Sequence, residues 1–349
     1  MIGDLNHLLT TILATEGITN SRLLRRLQLP DYTSPPLLEA LATTPTTFQN
    51  ETYFNEIRDV VTAGNCSEDV SHCQMLYPPP VQSNTGNNRV GVVLYGGALI
   101  DPRSYSVMAN SLSENHGLPV VIPIFPNDIA FLGCNGTDRI QFATSAFPDV
   151  EKWVLVGHSL GGMGAQVDFW NAINEQDYQQ DTSILGGLVL AGSYIRQDLG
   201  CGAIDFSQTQ IPMASAAAEL DGVVNRTLFD IGQEFLSGNG NTLKMIVDGG
   251  NHGNFGHYND TLRSTLFGQN DGVATISRDN QIDLTIAAIA HVASRIRSKL
   301  PAFVCVEDNG DDTTVSTSGA STKNGLLSPV AFSFGMIILG TAATFSSLF

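Results

Sequence analysis

Basic residues are scarce in this chain. It contains 17 Lys and Arg against 34 Asp and Glu, which gives a formal net charge of −17. A surface with this charge repels polyanions, and the largest basic cluster is the pair Arg25-Arg26. The composition therefore excludes nucleic-acid binding as a main function.

Cysteines are also few, and none is spaced like a zinc ligand. Structural zinc sites use close Cys or His pairs in matched sets, so this spacing predicts no metal site. Cys66 and Cys73 are close enough in sequence to close a small disulfide loop, with free buried thiols as the alternative. Because the number of cysteines is odd, disulfide pairing within the chain leaves one thiol unpaired. The five cysteines are Cys66, Cys73, Cys134, Cys201 and Cys305.

The N-terminus lacks the pattern of a secretory signal. Residues 1–17 have no basic n-region and no clean apolar h-region. Two interpretations stay open, namely that the protein is not exported or that Met1 is not the true start. Asn-x-Ser/Thr sequons in a lysine-poor chain with several cysteines favour the secretory pathway. The sequons begin at Asn50, Asn65, Asn135, Asn225 and Asn259.

The C-terminal part combines a polar segment with an apolar tail. Residues 307–324 are rich in Asp, Thr and Ser, as in linkers, and residues 326–349 carry no charge. A tail of this length can span a bilayer. With the small residues Ser318, Gly319 and Ala320 before it, the tail is similar to a GPI-attachment signal. A transmembrane anchor and a buried terminal helix are the alternatives. We expect membrane anchoring through this segment, in the secretory pathway or at the cell surface.

The middle of the chain alternates between strand and helix patterns. Short, continuous apolar runs are each followed by a segment of helical length, which is typical of strands buried on both faces in βαβ units. We therefore predict an α/β fold with a mostly parallel central sheet and helices on both faces. The predicted strands are residues 90–95, 120–125, 153–157, 187–191, 213–218 and 245–247, and residues 282–300 form an amphipathic helix.

Four segments follow from these patterns. We predict an N-terminal extension over residues 1–85, a catalytic domain over 86–304, a polar linker over 305–325, and a hydrophobic anchor or GPI-attachment signal over 326–349. The first segment has helix-like apolar spacing interrupted by prolines and shows no chemistry of its own.

A Gly-x-Ser-x-Gly pattern places Ser159 directly after a predicted strand and before a helix-compatible segment, 163–174. In such a nucleophile elbow the serine adopts a strained conformation in a sharp turn. Glycines two residues before and after it, here Gly157 and Gly161, remove side chains that would collide. We predict Ser159 as the nucleophile; the alternative is a tight strand–helix turn that contains a serine by chance.

A serine nucleophile needs a base, usually histidine, and the partners follow it in the order acid, then His. His252 comes directly after the last predicted strand, so we predict it as the base. His257 lies in the following glycine-rich loop and is an alternative. His291 lies in the middle of the predicted helix, where a surface or packing role is expected.

The acid must lie between Ser159 and His252 in the chain. Asp221 follows the predicted strand 213–218 and precedes a glycine, so we predict it as the acid that orients the imidazole. Its alternative role is that of a turn-forming Asp-Gly. Glu219 is the nearest rival. Asp198, Asp205 and Asp230 leave no comparable strand, and Asp248 ends the histidine's own strand.

An oxyanion hole requires two backbone N–H donors. We predict Leu160, the residue after the nucleophile, as one donor. The other is expected in the loop after the first parallel strand, at Gly97 or Ala98, where a Gly-Gly pair lets the backbone approach a substrate. A glycine turn without any ligand is the alternative.

Together these motifs resemble a compact alpha/beta-hydrolase domain of the dienelactone-hydrolase-like type. The resemblance covers roughly residues 90 to 300 and implies hydrolysis of carboxylic esters with the same triad, while leaving the substrate open. Dienelactone hydrolases proper use a cysteine nucleophile, whereas Ser159 stands here, so a lactone-specific role does not follow. The matching stretches are residues 95–105, 121–126, 130–131, 156–162, 219–222, 249–256 and 269–275.

The sequence thus predicts a serine hydrolase that cleaves a small-molecule ester through an acyl-enzyme, without metal or organic cofactor. Two alternatives stay open. One is a non-catalytic surface binding protein on a hydrolase scaffold, and the other is an acyltransferase or peptidase that uses the same triad.

Overall fold

The structure is a computed structural model. It describes residues 38–41, 74–80, 89–131, 133–134, 136–137, 139–174, 184–197, 199, 201–238 and 240–300. The predicted linker, the predicted C-terminal anchor and Cys66, Cys73 and Cys305 lie outside these ranges. Within them, no helix is both long enough and apolar enough to cross a membrane.

The described strands form one sheet of seven, in the order β1-β3-β2-β4-β5-β6-β7. Strands β2 to β7 run parallel, and β1 pairs antiparallel with β3 at one edge. This confirms the predicted α/β fold with a mostly parallel sheet. The strands are β1 (Gln74–Tyr77), β2 (Val90–Tyr95), β3 (Val120–Pro123), β4 (Lys152–His158), β5 (Leu185–Ala191), β6 (Met213–Ala218) and β7 (Thr242–Val247).

Helices cover both faces of this sheet. The longest are α3 (Leu160–Asn174) and α6 (Arg278–Arg297), and both pack on the central strands β4 and β5. A Cβ at Gly162 of α3 would contact the Leu190 side chain, whereas a Cβ at Gly187 would contact Val292 of α6. Because residues 187 and 190 point to opposite faces of β5, the two helices lie on opposite sides. The α-helices are α1 (Ser106–His116), α2 (Arg139–Ala146), α3 (Leu160–Asn174), α4 (Arg226–Gly232), α5 (Arg263–Phe267) and α6 (Arg278–Arg297).

The amphipathic helix predicted over 282–300 is α6. Its first turn is capped by Ser277, whose hydroxyl accepts the Asn280 N–H at 3.1 Å. The apolar residues that predicted it are all buried against the sheet, which explains why a helix with polar residues on its other face docks here. They are Ile282, Ile286, Ile289, Val292, Ala293 and Ile296.

The predicted N-terminal extension, residues 1–85, contributes to the fold. Met75 of β1 is buried and pairs with Ile122 of β3. Farther upstream, Leu38 forms a bridge with Ile100, and Ala40 forms one with Tyr258. Residues 74–77 of this segment therefore form an edge strand of the sheet. Segments as short as four residues are too short to show a hydrophobic periodicity, so the sequence pattern did not predict these contacts.

A disulfide joins Cys134 to Cys201. Cys134 lies between β3 and α2, and Cys201 lies between β5 and β6. The two cysteines are 67 residues apart, and their spacing gave no sign of the pairing. The bond ties together two loops that leave the carboxyl ends of their strands, the edge at which ligands bind in parallel sheets.

Candidate active site

Ser159 lies in the sharp turn between β4 and α3. Its φ is +54°, a left-handed conformation that side-chain-bearing residues seldom adopt. Two hydrogen bonds hold it there, from the Ser159 N–H to the Ala191 carbonyl and from the Gly162 N–H to the Ser159 carbonyl, both 3.0 Å. The predicted strand–serine–helix turn is therefore present, with its strain concentrated at the serine.

The two flanking glycines of the motif are required by close backbone contacts. A Cβ on Gly157 would lie 2.4 Å from the Gly162 Cα at the start of the helix. A Cβ on Gly161 would lie 2.3 Å from the Tyr95 carbonyl oxygen at the end of β2. Both distances are far inside van der Waals contact. A larger residue at position 157 would therefore force the turn open, and one at position 161 would push the helix away from β2.

His252 reaches Ser159 from the loop after β7. It begins a short 3₁₀ turn, His252–Phe255, which is capped by the Asn251 side chain accepting the Asn254 N–H. The imidazole is completely buried, and its Nε2 lies 2.9 Å from Ser159 Oγ. The buried Gln281 amide holds the preceding residue by accepting the Asn251 N–H and donating to its carbonyl.

Asp221 completes the chain of hydrogen bonds. Its Oδ2 lies 2.8 Å from His252 Nδ1, and its Oδ1 accepts the N–H groups of Val223 (2.9 Å) and Val224 (2.8 Å). Burial alone would raise the pKa of this carboxyl, but the attraction of His252 and the three hydrogen bonds outweigh it and lower the pKa. The carboxylate is thus held in its charged form against the imidazole.

The other predicted acids are engaged elsewhere. Glu219 Oε2 accepts the Gly249 N–H at 2.7 Å, and Asp205 accepts the N–H of Ser207 within its own turn. Asp230 pairs with Arg226 one helical turn away, and Asp248 lies exposed in the turn after β7. Asp198 lies outside the described residues.

The two alternative histidines do not reach the serine. His257 Nε2 pairs with Asp279 at 3.1 Å, and burial lowers the pKa of His257 despite that partner. His291 lies exposed in the middle of α6, as predicted. Of the three histidines that follow Ser159, the structure brings only His252 to its hydroxyl.

The predicted oxyanion donors differ in whether their backbone N–H groups already have an acceptor within the protein. Leu160 is the first residue of α3, where a backbone N–H has no acceptor within the helix. The Gly97 N–H donates to Tyr105 Oη at 2.8 Å. Of the two predicted positions, Gly97 thus has its N–H engaged by a side chain, whereas Ala98 is partly exposed.

Tyr105 connects the loop after β2, residues 96–101, which is the predicted oxyanion loop, to the turn that carries Ser159. Its Oη also lies 2.8 Å from Nδ1 of His158, the residue before the serine. Burial raises the pKa of Tyr105 well above its usual value. Burial also lowers the pKa of His158 well below its usual range, with a smaller electrostatic contribution from His252 and Arg263. Both side chains are therefore neutral at pH 7. Sequence reasoning missed this pair, because no spacing rule relates a tyrosine to a Gly-Gly loop eight residues before it.

Residues 91–283, more than half of the chain, match the family model described as alpha/beta hydrolase family. No curated protein gives a significant sequence match. The solved structures that this chain is similar to include an esterase from Thermogutta terrifontis (13% identity, 66% of this chain and 91% of that chain covered, TM-score 0.43). A proline iminopeptidase from Mycobacterium smegmatis is also similar (10% identity, 64% and 94% covered, TM-score 0.39). With its parallel sheet, its strained serine and the family match, this chain belongs to the alpha/beta hydrolase family.

Proposed function

We propose that the protein is a serine hydrolase that cleaves carboxylic esters of small molecules through an acyl-enzyme intermediate. The observation that carries the proposal is the continuous hydrogen-bonded chain from Ser159 Oγ to His252 Nε2 and from His252 Nδ1 to Asp221 Oδ2. Nucleophile, base and orienting acid in this geometry are what acyl transfer to a serine requires.

In the proposed reaction, Ser159 Oγ attacks the ester carbonyl while His252 Nε2 takes its proton. The oxyanion is stabilised by the N–H groups of Leu160 and Ala98. His252 then gives the proton to the leaving alcohol, and water attacks the acyl-enzyme with His252 as base. Asp221 keeps the imidazole in the tautomer whose Nε2 accepts the serine proton and stabilises the imidazolium.

The test is labelling with a fluorophosphonate probe, which reacts with an activated serine, together with hydrolysis of p-nitrophenyl acetate. Ser159→Ala should abolish labelling and lower kcat on the order of 10⁶-fold, to the background of the assay. Ser264→Ala, at an exposed serine of α5, is the matched control and should keep both. Retained turnover in Ser159→Ala would overturn the proposal, and an unlabelled wild type would favour a non-catalytic binding protein.

A second assay separates hydrolysis from acyl transfer. The acyl-enzyme is common to both reactions, and only the acceptor that attacks it differs. We expect free acid as the main product even when an alcohol acceptor is added at millimolar concentration. Ester products that dominate under these conditions would identify an acyltransferase instead.

We also propose that the protein resides in the secretory pathway or at the cell surface, anchored through residues 326–349. The Cys134–Cys201 disulfide supports an oxidising compartment, and Asn225 and Asn259 of the sequons are exposed. Expression in a eukaryotic cell should give a product whose mass falls on endoglycosidase treatment. Release from cells by a phosphatidylinositol-specific phospholipase would indicate a GPI anchor, whereas resistance would favour a transmembrane segment. Recovery of unglycosylated protein in the cytosol would contradict the proposal.

A further inference from the structure

One carboxylate, that of Asp271, binds the backbone of both loops that carry the acid and the base. Its Oδ1 accepts N–H groups from Gly222 (3.1 Å), His252 (3.1 Å) and Gly272 (2.9 Å). Its Oδ2 accepts the N–H of Gly253 at 2.7 Å. Only the Gly272 contact is local, and the other three come from residues 18 to 49 positions away in the chain.

The three distant donors flank the triad directly. Gly222 follows Asp221, and the other two N–H groups belong to His252 itself and to Gly253. The Asp271 carboxylate therefore links the backbone next to Asp221 to the backbone of His252. These bonds add to the side-chain bond between Asp221 and His252, which is 2.8 Å long. Hydrogen bonds to an ionised carboxylate are roughly twice as strong as neutral ones.

The same loops also touch through their backbones, and glycines make this possible. A Cβ on Gly222 would lie 2.2 Å from the Asn270 carbonyl oxygen, and a Cβ on Gly272 would lie 2.0 Å from the Leu220 carbonyl oxygen. The Asn251 side chain adds a bond from its Nδ2 to the Gly272 carbonyl at 2.7 Å. Three sequence stretches, 219–222, 249–256 and 269–275, thus converge on one carboxylate.

A local turn function does not account for this arrangement. An aspartate that caps its own turn needs only the N–H groups of the next residues, which here is the Gly272 contact. Glu219 offers a comparison, since its carboxylate accepts the N–H of Gly249, three residues before His252. Asp271 receives three N–H groups from the two triad loops, so its geometry is specific to their relative position.

We propose that Asp271 is a positioning residue of the triad, which fixes the imidazole of His252 against Asp221 and Ser159. This inference rests on the proposed serine-hydrolase function. Acyl transfer depends steeply on placement, and a shift of about 1 Å at the reacting groups costs on the order of 100-fold in rate. Loss of the Asp271 carboxylate should therefore impair the chemical step rather than substrate binding.

The experiment compares Asp271→Ala and Asp271→Asn with the wild type. Asp271→Ala should lower kcat for p-nitrophenyl acetate roughly 10- to 100-fold with KM changed less than about twofold, because substrate contacts are untouched. Asp271→Asn keeps one acceptor oxygen, so its kcat should lie between those of Asp271→Ala and the wild type. Asp283→Asn, on the exposed face of α6, removes one negative charge without touching a triad loop and should keep wild-type kcat.

A spectroscopic readout separates positioning from general destabilisation. The proton between His252 Nδ1 and Asp221 gives a far-downfield NMR resonance in a correctly placed pair, and it should shift or broaden in Asp271→Ala. Rates are expressed per folded molecule, measured by near-ultraviolet circular dichroism, so partial unfolding of a variant does not imitate the effect.

The outcomes are distinct for the two proposals. A wild type that reacts with fluorophosphonate, with slower labelling and lower kcat in both Asp271 variants, supports the positioning role. A reactive wild type with unchanged kcat and an unchanged downfield resonance in both variants overturns it and leaves the triad intact. A folded wild type that does not react at all overturns the proposed function and this inference with it.

Discussion

At the scale of single residues, the site depends on backbone conformations that few side chains tolerate. Ser159 has a φ of +54°, and Leu99, in the oxyanion loop, has a φ of +62°. Each such residue costs of order 1–3 kcal/mol unless its surroundings hold it in place. The Leu99 N–H donates to the Asp128 carbonyl at 2.8 Å, and Gly97 is held by Tyr105. Hydrogen bonds within the protein therefore hold both residues of this loop in place.

Replacing Tyr105 by Phe should weaken both the fold and the reaction. The change leaves the Gly97 N–H and the His158 Nδ1 without their partner, and a buried unsatisfied polar group costs about 1–3 kcal/mol. We expect a lower midpoint in urea unfolding and a kcat reduced about tenfold through a displaced oxyanion loop. Tyr95→Phe breaks a different buried bond, to Asp168, and serves as the comparison. It should lose stability but keep kcat, and equal kcat in both variants would contradict this role for Tyr105.

The sequence could predict that the three residues of the proposed triad meet, because strand ends restrict where they lie. Ser159, Asp221 and His252 each follow an apolar run, so chain order and a common sheet edge sufficed. The bond from the Gly97 N–H to Tyr105 could not be predicted in the same way, because the sequence does not show which acceptor an N–H finds. The stretch 269–275 was identified only as part of the family resemblance, and the contacts of Asp271 could not be predicted because its partners are backbone groups in two distant loops.

At the scale of elements, residues 38–41 connect two loops of the site. The Leu38 N–H and carbonyl pair with the Leu99 carbonyl (3.0 Å) and the Asp101 N–H (2.9 Å). The Leu41 N–H donates to the His257 carbonyl at 2.9 Å, just beyond the 3₁₀ turn that carries the base. This tetrapeptide thus joins the oxyanion loop to the histidine loop through backbone hydrogen bonds.

Leu38→Ala should destabilise the protein by about 2–5 kcal/mol, because the Leu38 side chain is fully buried and its loss leaves a cavity. Glu39→Ala, at the exposed neighbouring position, should leave stability within about 0.5 kcal/mol. Both values come from chemical denaturation of the full chain. If the two variants proved equally stable, residues 38–41 would not pack on the domain in solution.

Central and edge strands differed in how well the sequence predicted them. The buried strands β2 and β6 were predicted with the bounds that the structure shows, because their apolar runs are continuous. Strand β7 starts three residues before its predicted start, because the exposed Lys244 at the sheet edge interrupts the apolar run. Strand β1, with four residues, has no periodicity to detect.

At the scale of the whole molecule, the Cys134–Cys201 disulfide should add to stability. Removing a native disulfide typically costs about 2–5 kcal/mol. We expect the double variant Cys134→Ser, Cys201→Ser to unfold at a lower urea concentration than the oxidised wild type. Dithiothreitol should bring the wild type to the level of the variant and leave the variant unchanged. A wild type whose unfolding did not respond to the reductant would argue against the bond.

The acid response of the fold should come first from its buried histidines. Burial lowers the pKa of His158 well below 6.5 and also lowers that of His257. The unfolded chain then binds more protons than the native protein below pH 6.5, so stability falls as pH falls. Asp221 affects stability in a lower pH range. Because its pKa is lowered in the folded protein, it stabilises the fold above about pH 4, and this stabilisation is lost only on further acidification. The interval from pH 7 to 5 therefore isolates the histidines.

His158→Gln should flatten this response. The variant will be less stable at every pH because it loses the fitted contact with Tyr105, so the informative quantity is the slope of unfolding free energy against pH. One histidine that stays neutral when folded contributes at most about 1.4 kcal/mol per pH unit below pH 6.5. His291→Gln, at an exposed position of α6, should keep the wild-type slope. A slope that His158→Gln leaves unchanged would mean that His158 is already charged in the native protein, in conflict with its burial beside His252.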